Sequence, residues 1–149
     1  MAPASINDVP AVQTEWMLDI TLRLRLATPA TAKAGSAIIV GGDASGPLLA
    51  GKVLPGSFEW VHDPAQGVLR LSARYDLQDD QGLRIHVADR AAVAAPAASG
   101  YWNSPFSTSP DLQWVHGSPT AIPDALYLGR LDARQLDAGT LRMNLHRVV

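Results

Sequence analysis

Apolar and polar side chains alternate along much of this chain. From Glu15 to Leu26, residues Trp16, Leu18, Ile20, Leu22, Leu24 and Leu26 share one parity. Glu15, Asp19, Thr21, Arg23 and Arg25 take the other, and Met17 is the apolar residue out of step. A period of two marks a half-buried strand, because successive side chains leave a strand on opposite faces. At roughly 3.3 Å per residue the run reaches about 40 Å, too long for one flat strand, so it bends or wraps a barrel.

The alternation returns in Val68–Leu77, where Leu69, Leu71, Ala73, Tyr75 and Leu77 oppose Arg70, Ser72, Arg74 and Asp76. Leu83–Ala88 and Thr140–Val148 repeat it. Shorter extended runs are Ala37–Val40, Leu48–Leu54, Phe58–His62 and Ala125–Leu131. Gly41-Gly42, Gly46-Pro47, Pro55-Gly56, Asp63-Pro64 and Asp79–Gly82 punctuate them, Gly82 being free to take positive φ. Ala91–Gly100 is Ala-rich, but Pro96 breaks a helix there, so it reads as a loop. No helical stripe lasts beyond two turns. Short strands with frequent turns predict an all-β fold, a sandwich or barrel; the absence of alternating helices argues against a parallel α/β sheet.

The 149 residues fit one domain. Met1–Thr14 has no Lys or Arg and no apolar core, so it reads as a flexible tail rather than a signal peptide, leaving 15–149 as the domain. No apolar run is long enough for a membrane helix, and a cytoplasmic location is the expectation. The formal charge is −2, which gives no basic stripe for nucleic acid. Cysteine is absent, which excludes disulfides, thiolate nucleophiles and cysteine metal sites. Apolar side chains on both parities of the first strand, once Met17 is counted, predict a homodimer.

Gly41–Trp60 reads GGDASGPLLAGKVLPGSFEW, and Leu69–Val87 reads LRLSARYDLQDDQGLRIHV. With Pro105–Thr108 and Leu112–His116, these segments resemble the domain-of-unknown-function 3237 family, over Trp16 to Val148. Glu59 stands where that family usually has Asp, Ser57 replaces Gly, Gln81 Asp, Leu112 Tyr and His116 Asn, and His146 an aromatic. The resemblance implies a single antiparallel, lipocalin-like β-barrel with little helix. It implies no reaction.

Chemistry must come from individual residues. The glycines lack the following Gly-Lys-Ser/Thr of a phosphate loop, and read as tight turns and close strand contacts. His62, His86, His116 and His146 fall on separate segments without local ligand spacing, so no metal is expected. Glu59 lies between Phe58 and Trp60. Desolvation there would suit it to proton transfer; the structural alternative is a salt bridge to an arginine such as Arg74. Arg74 and Asp76 share a parity, so one orients the other toward a ligand, or both sit on a solvated face.

A small barrel either fills its interior with side chains or holds one small ligand. The expectation is a pocket for a small apolar or aromatic, carbonyl-bearing molecule. Glu59, Arg74 and His86 are the candidate catalytic residues. Trp60, Tyr75, Asp76, Tyr101, Trp114 and His116 are the candidate ligand contacts. A cofactor-independent isomerase, lyase or cyclase is the first reading, a non-catalytic carrier the second, and a side-chain-filled assembly module the third. The first requires Glu59 to face the cavity with Arg74 in reach.

Overall fold

The computed structural model describes residues 12–94, 102, 105–116 and 125–149, without the side chain of His116. The strands are Thr14–Leu26 (β1), Ala34–Ser45 (β2), Gly51–Val53 (β3), Gly56–Asp63 (β4), Val68–Asp79 (β5), Arg84–Ala94 (β6), Phe106–His116 (β7), Tyr127–Asp132 (β8) and Thr140–Val148 (β9). All pairings are antiparallel. β3 and β4 both lie between β2 and β5, so they form one strand position interrupted at Leu54-Pro55. β1 pairs with both β2 and β9, which closes an eight-stranded antiparallel barrel. The described residues add a 3-10 turn, Leu136–Ala138, closed by Gly139 in the left-handed region. No helix among them is long and apolar enough to cross a membrane.

The alternating runs supply the interior. Leu18, Ile20, Leu22, Phe58, Leu69, Leu77, Ile85, Val87, Leu141 and Leu145 are buried, and the intervening polar residues point outward. The first strand breaks its own rule at one place. Its register against β9 shifts between Trp16 and Leu18. The extra residue reverses the parity, so Met17 is buried beside Leu18 and Trp16 is 45 % exposed.

Other elements differ from the sequence expectation. β2 does not end at Gly41-Gly42 but runs through them to Ser45. A second bulge lies opposite Arg23 and Leu24, and a Cβ on Gly42 would stand 1.9 Å from the Thr21 carbonyl oxygen. These glycines therefore let two strands approach rather than turn the chain. Of Leu48–Leu54 only Gly51–Val53 is strand. β6 continues to Ala94, into the segment read as a loop, whose remaining residues 95–100 lie outside the described ones. β7 is a full strand where no strand was expected. Its inward row is Phe106, Thr108, Pro110, Leu112 and Trp114, in which Thr and Pro hide the apolar period. Of the tail expected over Met1–Thr14, residues 1–11 lie outside the described ones and Thr14 already belongs to β1.

One end of the barrel is closed by aromatics. Phe58 and Trp60 of β4 meet Trp102 and Phe106, with ring centroids 5.6–6.3 Å apart. The Trp60 and Trp102 indoles donate to the Ala32 and Ala30 carbonyls at 2.8 and 2.9 Å, tying the β1–β2 connection over that end. Gly35 makes room, since a Cβ there would meet the Trp60 ring at 2.1 Å.

Candidate functional site

Strand parity divides the candidate residues between two faces. On β4 the inward positions are Phe58, Trp60 and His62, so Glu59 points outward and is exposed. This overturns the expectation that Glu59 faces the interior. The aromatic neighbours take the core because burying them removes far more apolar surface than burying one carboxylate, which would lose its hydration. Arg74 is also exposed, opposite Ser57 on β4 and diagonal to Glu59. No ion pair joins the two among the described residues.

Asp76 and His86 do come together, on the outer face. They are directly paired across β5 and β6. The His86 Nδ1–H donates to Asp76 Oδ1 at 2.6 Å, and Arg84 Nε donates to Oδ2 at 2.7 Å. Partial burial alone would raise the Asp76 pKa; the two hydrogen bonds outweigh it and hold the carboxyl below its usual range. Arg74, two residues along β5, is not part of this network. The Arg84–His116 pairing places the His116 backbone beside the cluster. Tyr101 and the His116 side chain lie outside what is described.

The other candidates point inward. Trp60 and Tyr75 are buried, and Trp114 is partly buried against the core. Around Tyr75 the interior holds polar groups that alternation alone did not single out. Asp89 is 1 % exposed and Thr108 is 4 % exposed. Thr108 Oγ1 donates to Asp89 Oδ2 at 2.8 Å. Desolvation lifts the Asp89 carboxyl to about 6, against hydrogen bonding from Thr108 and the Arg90 amide. Its Oδ1 makes no well-formed hydrogen bond among the described residues, and neither do Trp114 Nε1 and Tyr127 OH. Tyr75 OH donates to the Met143 thioether at 3.7 Å, a weak acceptor. Burial first, and the nearby Asp89 charge second, push the Tyr75 pKa well up, so it stays a protonated donor.

The sequence signal for Asp89 was available but faint. It occupies an inward position of β6 after Ile85 and Val87. An aspartate in phase with two core residues is a parity violation, hidden because β6 was expected to end at Ala88. No three His, Asp or Glu side chains among the described residues come together as a metal site.

Comparison with known proteins decides the family. The family model described as "Protein of unknown function (DUF3237)" matches residues 13–111. The chain belongs to the DUF3237 family. No curated protein matches it. Among solved structures, DUF3237 architecture is shared with a conserved protein of unknown function from Rhodopseudomonas palustris, at 20 % identity and a TM-score of 0.73. That match covers 95 % of this chain and 99 % of the other. A beta-barrel like protein from Acinetobacter baumannii is similar at 15 % identity and a TM-score of 0.68, over 95 % and 99 % of the two chains. A protein described as an enzyme from Penicillium herquei is similar at 16 % identity and a TM-score of 0.61, over 94 % and 97 %. At these identities the likeness concerns the fold.

Proposed function

We propose that this DUF3237 barrel binds a small, largely apolar carbonyl compound and moves a proton on it by side-chain acid–base chemistry, as an isomerase, lyase or cyclase does. One observation carries the reading: Asp89, a carboxylate buried inside the barrel, is held near pKa 6, and its Oδ1 makes no well-formed hydrogen bond among the described residues. A buried carboxylate with a free acceptor costs about 1–3 kcal/mol, and such groups concentrate at sites where they act. A base near pKa 6 is largely ionised at neutral pH yet strong enough to take a proton from carbon beside a carbonyl. Thr108 fixes one carboxylate oxygen, and the other is the one assigned to the substrate proton in this reading. The Tyr75 hydroxyl, whose partner among the described residues is a thioether, can turn toward the oxyanion that forms as the proton leaves. The description of a fold neighbour as an enzyme also supports catalysis. Glu59, exposed on the outer wall, is replaced by Asp89 as the proposed base.

The test uses an activated aromatic carbon acid, 5-nitrobenzisoxazole, whose ring opens when a base removes its C–H proton. The barrel is expected to accelerate opening, with a rate that rises through about pH 6 and falls at least a hundredfold in Asp89→Asn. Tyr75→Phe should lower the rate by a smaller factor. Saturable binding of the probe without Asp89-dependent turnover would replace catalysis with the carrier reading.

A further inference from the structure

The outer wall holds a groove that the interior reading does not use. Across β4, β5, β6 and β7 the residues Glu59, Ser72, Arg90 and Ser109 are consecutive register partners. They form one row running across the strands. Val61 and Arg70 form the next row. All six line an open groove of about 490 Å³ whose surface is mostly apolar. That volume lies in the range of small-molecule sites. The floor is low because serines stand where long side chains would otherwise fill it. The walls are long and charged.

These charges are not paired with one another. Among the described residues neither Arg70 nor Arg90 has a carboxylate at ion-pair distance, and Glu59 has no cation. Arg70 and Arg90 sit diagonally on adjacent strands, within reach of one anion for long side chains. Glu59 lies in the same row as Arg90 but two strands away, about 10 Å at ordinary strand spacing, and Arg70 sits between them, diagonal to both. An occupant that spans this row offers an anion at the Arg90 end, a hydrogen-bond donor at the Glu59 end, and a flat apolar body between. We infer that this groove binds a hydroxyaryl carboxylate, its carboxylate clamped by Arg70 and Arg90, its hydroxyl donating to Glu59, and its rings lying over Ser72 against Val61. Guanidinium groups suit this task because their planar fork matches a carboxylate.

The inference stands apart from the interior site, and one experiment separates them. The probe is 6-hydroxy-2-naphthoate, followed by its own fluorescence at low salt. Wild-type protein is expected to bind it saturably. Arg70→Gln or Arg90→Gln should weaken binding at least tenfold, as should exchanging the probe for 6-hydroxy-2-naphthamide. Glu59→Gln, or 2-naphthoate as probe, should weaken it by a smaller factor. Asp89→Asn should leave it unchanged. All four positions except Asp89 are on the outer wall, so folding of the variants is checked by circular dichroism alone. Absence of saturable binding, or binding indifferent to both arginines and to the amide exchange, overturns the inference. Binding lost in Asp89→Asn but kept in the arginine variants also overturns it, and points to the interior instead.

Discussion

Asp89 illustrates how one residue couples folding to acidity. In the folded barrel it holds its proton up to about pH 6; its ordinary value is 3.8. Between those values the folded state binds more protons than the unfolded chain, so stability falls as pH rises. The contribution is full below about pH 3.8 and gone above about pH 6. Its size is about 3 kcal/mol, from roughly 1.4 kcal/mol per unit. Asp89→Asn should remove this slope: wild type loses stability relative to the variant between pH 4 and pH 7 in urea melts. Matching slopes for the two proteins would show that Asp89 is better solvated than its burial indicates. Glu59 gives the opposite lesson. Its flanking aromatics suggested desolvation, yet parity sends a residue away from the neighbours it touches in sequence.

Regular alternation made strands legible where both rows were pure. Thr140–Val148 has the predicted limits, and β1 and β5 lie within two residues of theirs. The misses share a cause. β7 carries Thr108 and Pro110 on its inward row, so the period is chemically blurred. β2 carries Gly41-Gly42, which local rules assign to a turn and tertiary contact assigns to a strand crossing. Neither could be settled without knowing which strand lies alongside. The buried Asp89–Thr108 pair was hidden for the same reason, because the two are brought together only through the β6–β7 register. The outer His86–Asp76 pair was legible as residues but not as a pair for that reason too. Gly42→Ala tests the crossing. A methyl group 1.9 Å from the Thr21 carbonyl oxygen must push β1 and β2 apart. The expected cost is roughly 1–3 kcal/mol, read as a drop of several degrees in Tm. An unchanged Tm would mean that the bulge absorbs the added group.

For the whole molecule, closure is the defining property. β1 is held on both sides, by β2 from its own half and by β9 from the far end of the chain. Removing Thr140–Val149 would expose edges on both β1 and β8 at once, and such open edges invite association. That truncation should abolish the cooperative urea transition rather than shift it. The aromatic end adds a property of another kind. Trp60 and Trp102 stand edge to face with centroids 5.7 Å apart, and their indoles are anchored to the same connection. Two chromophores fixed at that distance and angle share their excited states. The folded barrel is expected to show an exciton couplet in its circular dichroism, which Trp102→Phe should erase while leaving the strand signal intact; a couplet unchanged in that variant would mean that the two rings are not its source. Because the couplet vanishes as soon as the rings lose their mutual angle, it is an optical latch indicator for that end of the barrel, able to report opening while the strands remain paired.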